Sequence, residues 1–298
     1  MKNLNRVRGA SNFVINFLVG LLSILCIIPF IFVIIISFTD ETCLAANGYS
    51  FLPEKFSTEA YKYIFTKSAL IINSLGVSLL VVVVGTVLSL LVVGMYAYTL
   101  YRQDYKFRKF FNWLSFITMI FGSGLVPSYV MISQVLELKN SLWALIIPVL
   151  CSPFNIIILR TFYSTNIPSS LIESSMIDGS SEFRTFFKIV APISLPGLAT
   201  IALFCALNFW NDWFYAMLYI DEATKIPLQY LLMKIQNNIN FLTASTEGTA
   251  ENAEALRNMP SESARMALVV IIVTPIAFAY PFFQKYFISG LTIGSVKG

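Results

Sequence analysis

Residues Ser170–Pro192 read SLIESSMIDGSSEFRTFFKIVAP, a polar stretch set between long apolar runs. Ser170 with Glu173 three positions on has capping-box spacing, and Pro168 just upstream favours a helix start. A helix of about two turns is therefore expected to reach Asp178, with Gly179 as its stop. Ser180 or Ser181 then caps a second helix with Glu182 in its first turn. On that helix Phe183, Phe186, Phe187 and Val190 recur at i, i+3, i+4 and i+7 as an apolar stripe, Arg184 and Lys188 lie on another side, and Pro192 ends it. This geometry admits two readings, an amphipathic linker resting on lipid headgroups or a docking element for a partner protein.

The flanks of this island place the chain in a membrane. Hydrophobic residues make up 57% of the sequence and charged residues 12%, against about one-half and one-quarter in soluble domains. Apolar runs longer than the roughly 18 to 20 residues that cross a hydrocarbon core recur along the chain. The fold class is an all-α integral membrane protein, a single transmembrane domain over residues 1–298. Six spans are expected at about 13–38, 69–101, 110–134, 141–162, 193–220 and 264–288, with the polar loop 164–192 between the fourth and fifth. The first run is too long for the apolar part of a signal peptide and is expected to be retained. Gly122-Ser123-Gly124 and Pro127 weaken or kink the third span. Residues 40–67 form a polar segment with one short surface helix expected at Glu59–Phe65, residues 221–262 form a long polar loop, and residues 290–298 a short tail.

Charge assigns the sides. The N-terminal segment, the turn Arg102–Lys109, the island with Arg160 and the C-terminal segment together hold twelve Lys/Arg and four acids, whereas the three other loops hold eight Lys/Arg and eleven acids. Basic residues concentrate in short cytoplasmic loops, so both termini, the basic turn and the island are expected in the cytoplasm. Asp212 is the one remaining acid and falls inside the fifth span.

The residue inventory narrows the chemistry. There is no His, which removes the commonest catalytic base and metal ligand, and no G-x-x-x-x-G-K-[ST] phosphate loop. The four cysteines form no C-x-x-C pair. No catalytic or metal site is expected, and whatever energy the chain uses must come from an ion gradient or a partner.

Glu173-Ser174-Ser175, Gly179 four residues later and Ile189-Val190-Ala191-Pro192 resemble the E-A-A, G, I-x-L-P signature of permease subunits of type I ATP-binding-cassette importers, departing from it at Ser174, Ser175 and Ala191. The stretch Leu291–Gly298 looks like the tail of the maltose-type second permease (MalG-like). Phe121–Tyr129 and Trp210-Asn211-Asp212-Trp213-Phe214 resemble the LplC-like or YtcP-like branch, which is associated with oligosaccharide uptake.

The resemblance implies that residues 164–192 hold a coupling helix seated on a cytoplasmic ATPase, with Glu173, Ser174, Ser175, Asp178, Gly179, Phe183 and Pro192 as its coupling residues. It implies that the tail with Gly294 and Lys297 reaches between two ATPase subunits. ATP and Mg²⁺ would then belong to that ATPase dimer, and this chain would hold no cofactor. The further partners are a second permease forming a heterodimer, an extracytoplasmic sugar-binding lipoprotein, membrane lipid and an oligosaccharide; nucleic acid is not among them. The location is the bacterial cytoplasmic membrane.

Within that frame FWNDWFY, Phe209–Tyr215, is the candidate for contact with sugar. Rings of Trp210, Trp213 and Tyr215 can stack on a pyranose face while Asn211 and Asp212 bond hydroxyls. Trp210 and Trp213 also fit an aromatic belt at the outer interface, with Asp212 paired to a neighbouring subunit. Residues 237–258 of the long loop fit either a scoop that enters the binding protein or a solvated loop packed on the partner permease. A secondary transporter or channel for a small polar solute would need buried ion relays or an inverted repeat, and a membrane-embedded enzyme a clustered nucleophile, base or metal set. Asp212 alone supplies neither.

Overall fold

A computed structural model describes residues 9–65, 68–244 and 261–295 of the 298-residue chain, and among them the regular structure is helical. The described residues fall into two compact units, one of residues 1–68 and 236–275 and one of 69–235 and 276–298.

In the first unit, α1 spans Gly9–Ser37 and carries Pro29 in its interior. Its flanks are apolar all round and exposed from Phe13 to Ile31, as a surface solvated by lipid requires. Three residues beyond its end, Asp40 caps the next helix, α2 (Glu41–Asn47), by accepting from the Thr42 backbone N–H at 3.1 Å. Its carboxylate also holds Lys55 at 2.8 Å, folding residues 40–57 back on themselves. The short helix expected at Glu59–Phe65 forms at those residues, α3.

In the second unit, α4 (Ser68–Tyr101) is one uninterrupted helix. The third expected span is not one helix with a kink. It divides at Phe121–Gly124 into α5 (Arg108–Ile120) and α6 (Leu125–Val130), the latter continuing as a π-helical turn to Val135, and the two parts meet at 113°. Gly124 has φ +81, a conformation that favours glycine, so the chain can leave the helical path there. The fourth is likewise divided, into α7 (Trp143–Ile146) with a 3₁₀ turn to Val149, and α8 (Pro153–Asn166), at 51°. Pro148 and Pro153 remove the N–H groups that would carry a helix across the gap.

The polar island begins with α9 (Ser169–Ile177). The expected Ser170–Glu173 capping box is not the cap: Pro168, with extended backbone, occupies the N-cap and no side chain bonds there. Ser181 does cap α10 (Glu182–Thr185), accepting from the Arg184 N–H. Pro192 does not end the helix. A π-helical turn, Phe186–Val190, leads into α11 (Ala191–Ile193), which contains Pro192, and the break falls at Ser194. The helix runs only one residue beyond Pro192, so the proline sits in its last turn, where its missing N–H leaves a single carbonyl without a helical partner. There the path turns by 87° into α12 (Leu195–Trp210).

The fifth expected span thus begins after that turn and is broken again at Asn211–Trp213 before α13 (Phe214–Tyr219). The long polar loop holds α14 (Leu228–Ala244), which polar composition concealed. The last helix, α15 (Ser261–Ser295), extends through most of the expected tail. Among the described residues, three helices are long and apolar enough to cross a membrane, and each of three bent pairs reaches that length and composition when its halves are joined.

Close packing draws α4 to its neighbours. A Cβ on Gly85 would lie 2.7 Å from the Phe209 ring of α12, and one on Gly94 would lie 3.2 Å from Phe186. Small residues of this kind let apolar helices approach where lipid supplies no hydrophobic force between them. Hydrogen bonds also join segments of the second unit that are distant in sequence. Asn73 donates to the Thr224 carbonyl, Ser78 accepts from the Leu228 N–H, and the Asn140 side chain accepts from the Asp221 and Glu222 N–H groups. In the first unit Glu41 caps the start of α15, accepting from the Glu262 and Ser263 N–H groups at 3.0 and 3.1 Å.

Candidate functional site

The island is fastened to the end of α4. Tyr98 donates to Glu182 at 2.7 Å, and Tyr101 donates to the Ile167 carbonyl at 2.8 Å. Arg102, 9% exposed, places Nη2 3.3 Å from Glu182 and 3.0 Å from the Met176 sulfur, while Nε donates to Asp104 at 2.8 Å. Those bonds hold the Asp104 carboxyl below its ordinary range and raise the already high pKa of Arg102, so the pair is ionised throughout the physiological range. One guanidinium therefore contacts both helices of the island and the turn that follows α4.

The two helices are also joined directly. Ser175 and Thr185 are buried with their hydroxyl oxygens 3.1 Å apart, and Phe186 and Val190 pack inward. Between the helices Gly179 has φ +74 and open space around its α-carbon, so backbone conformation and not crowding requires glycine. Its N–H bonds the Met176 carbonyl, and the next N–H bonds the Ser175 carbonyl.

The expected coupling residues consequently divide. Ser175 is internal, whereas Ser174, Glu173 and Asp178 are exposed. Phe183 is 70% exposed although the stripe it belongs to is half buried, and Ile177, which sequence reasoning did not select, is 86% exposed. Pro192 lies exposed in α11. Gly294 lies in the last turns of α15, and Lys297 is outside the described residues. Arg102, Tyr98 and Thr185 were also missed. Their sequence signal was only that of a basic residue and a tyrosine at a helix end, and of a polar residue inside an apolar stripe.

The second candidate stretch is split by the break after α12. Trp210 is 6% exposed and its indole nitrogen is buried without a partner among the described residues. Asn211 is exposed and accepts from Gln229 at 3.2 Å, and Trp213 is 39% exposed. Asp212 accepts from the Tyr215 N–H at 3.0 Å and so serves the start of α13. Tyr215 joins a ladder of parallel rings with Tyr219 and Tyr129, at centroid spacings of 6.1 and 5.8 Å. Of the expected scoop tip, residues 237–244 are helical and 245–258 lie outside the described residues.

No family model matches the chain. Over 93% of its length it is 39% identical to the polygalacturonan/rhamnogalacturonan transport system permease protein YtcP of Bacillus subtilis, covering 94% of that protein. It is 31% identical to the arabinooligosaccharides transport system permease protein AraQ of Halalkalibacterium halodurans, over 93% of each. Its structure also resembles a chain of a bacterial ABC transporter involved in the import of the acidic polysaccharide alginate, with TM-score 0.78 and 28% identity, covering 96% of this chain and all of that one.

Proposed function

The chain belongs to the permease subunits of carbohydrate ATP-binding-cassette importers, and from that premise we propose how its parts divide the work. It is an integral membrane subunit of an oligosaccharide importer and has no ATPase activity of its own, since hydrolysis resides in a separate subunit.

Six spans, three of them the bent pairs, carry the chain across the bacterial cytoplasmic membrane with both termini inside. A second permease completes the pore as a heterodimer, an extracytoplasmic binding lipoprotein delivers the sugar, and an ATPase dimer holds ATP and Mg²⁺. The island is the coupling element. Exposed Ile177 and Phe183 supply apolar area for a cleft in the ATPase, with Glu173 and Asp178 as its charged rim. ATP binding closes the ATPase dimer, and the island, held rigidly by Arg102, passes that movement to α4. The result is a shift between inward- and outward-facing states, which requires that the partner bind one state better than the other.

The observation that carries this reading is the double attachment of the island, to α4 through Arg102 and Tyr98 and within itself through Ser175 and Thr185. A lipid-resting linker needs no such rigidity. Co-purification and transport in proteoliposomes test it: Glu173→Lys and Ile177→Asp are expected to reach the membrane yet lose the ATPase or uncouple it. Normal assembly and transport by both would overturn the coupling role.

For the sugar pathway, Asn211, Trp213 and Tyr215 are the candidates for direct contact, with Asp212 positioning α13 and Trp210 a packing residue. The helical part of the 221–262 loop is the side presented to the binding lipoprotein. Stimulated ATPase activity across neutral and uronic-acid oligosaccharides would identify the substrate.

A further inference from the structure

We propose that a basic cleft at the start of α5 binds the phosphate headgroup of an anionic phospholipid. The cleft, about 650 Å³, is lined by Lys106, Arg108, Lys109, Asn112, Trp113 and Arg160, drawn from the turn after α4, from α5 and from α8. The one acid at its edge, Asp104, is already engaged by Arg102. Four cations thus converge where no free carboxylate offsets them, and among the described residues neither Lys109 nor Arg160 has an ion-pair partner.

Two further features point to an anion. Arg108 and Lys109 occupy the first turn of α5, which has no acidic residue and no side-chain cap. Cations there oppose the positive end of the helix dipole, so the folded chain holds like charges together until an anion arrives. The site is also held in shape. The Arg108 Nε donates to the Leu100 carbonyl at 2.9 Å, and Asn112 donates to the Arg108 carbonyl at 2.7 Å. Arg108 thereby spends one of its five donors on position and keeps the others for the cleft.

The same oxyanion could be a free phosphate or one carried on a lipid, and the surroundings favour the lipid. Phe107, Phe110 and Trp113 are 55%, 62% and 64% exposed beside the cations. Exposed aromatic rings next to lysine and arginine mark the headgroup level of a bilayer, where basic pockets between helices take acidic headgroups. Acyl chains would lie against these rings while the phosphate sits among Arg108, Lys109 and Arg160.

Native mass spectrometry of the assembled importer, with phosphatidylglycerol or phosphatidylcholine supplied, tests this. The wild type is expected to retain phosphatidylglycerol preferentially. Each of Lys109→Gln and Arg160→Gln should weaken that retention about fivefold, the change equivalent to about 1 kcal/mol per cation near an anionic surface. Lys62→Gln, a cation of the segment after α1, should leave it unchanged. Because Lys109 has no internal partner among the described residues, its variant is expected to fold. Equal retention of both lipids, retention unaffected by either cleft variant, or full displacement of the lipid by millimolar inorganic phosphate would each overturn the assignment.

Discussion

Arg102 and Glu182 meet at 3.3 Å, and the same Glu182 accepts from Tyr98 at 2.7 Å, so one carboxylate ties α10 to the last turn of α4 by a charge and a hydroxyl. The arginine is nearly buried and the glutamate half exposed. Losing the glutamate leaves the arginine with Asp104, whereas losing the arginine frees both acids. In a double-mutant cycle, Arg102→Ala and Glu182→Ala are expected to show a coupling energy of about 1 kcal/mol by thermal unfolding in detergent. Glu182→Gln should keep the Tyr98 contact and lose transport coupling more than stability. Strict additivity would show that the pair does not link the two helices.

Gly179 separates two helices whose contact depends on its positive φ. Gly179→Ala is expected to cost about 1 kcal/mol, because an L-residue in this region suffers a steric penalty of that size. Gly179→Asn should cost less, since asparagine tolerates the conformation. Co-purification with the ATPase should follow the same order; equal behaviour of the two variants would remove the conformational explanation.

Gly85 faces the ring of Phe209 closely enough that a methyl group would overlap it. Gly85→Ala is expected to destabilise by about 1 to 3 kcal/mol through overpacking. Adding Phe209→Leu should recover part of the loss, because it vacates the volume that the methyl needs. Melting temperatures of the two single variants and the double variant provide the check.

Trp210 and Trp213 should separate by function. Trp210→Ala removes a buried side chain and is expected to lower stability by about 3 to 5 kcal/mol. Trp213→Ala and Asn211→Ala should leave stability nearly unchanged and raise the sugar concentration needed for half-maximal import. Unaltered import kinetics in both exposed variants would remove this stretch from the pathway.

Acid should loosen residues 40–57. The ion pair with Lys55 and the hydrogen bonds from Thr42 lower the Asp40 pKa from 3.8 to about 2. A carboxylate with a depressed folded pKa contributes stability that is complete above its unfolded pKa and is lost as pH falls through the folded one. The wild type should therefore lose this contribution between about pH 4 and about pH 2. Asp40→Asn should lack that component in the same window, measured as the shift of its unfolding midpoint with pH.

The sequence by itself determined the membrane class, the short helix Glu59–Phe65, the stop at Gly179 and a cap at Ser180 or Ser181, between which the structure selects Ser181. Each rests on a local property: apolar length, or a residue type with one preferred backbone role. It also located the weak points of the third span at Gly122–Gly124, but not the 113° turn there. Local propensity says where a helix can break, and packing against neighbours sets the direction in which it resumes. Tertiary structure alone decided that Pro192 lies within a helix, that Ser175 faces Thr185 while Ser174 faces out, and that Trp210 is buried. It also decided that Arg102, an ordinary basic residue in a turn, holds the island to α4. These are pairings between residues far apart in the chain, and periodicity along one segment carries no record of the surface that another segment will present to it.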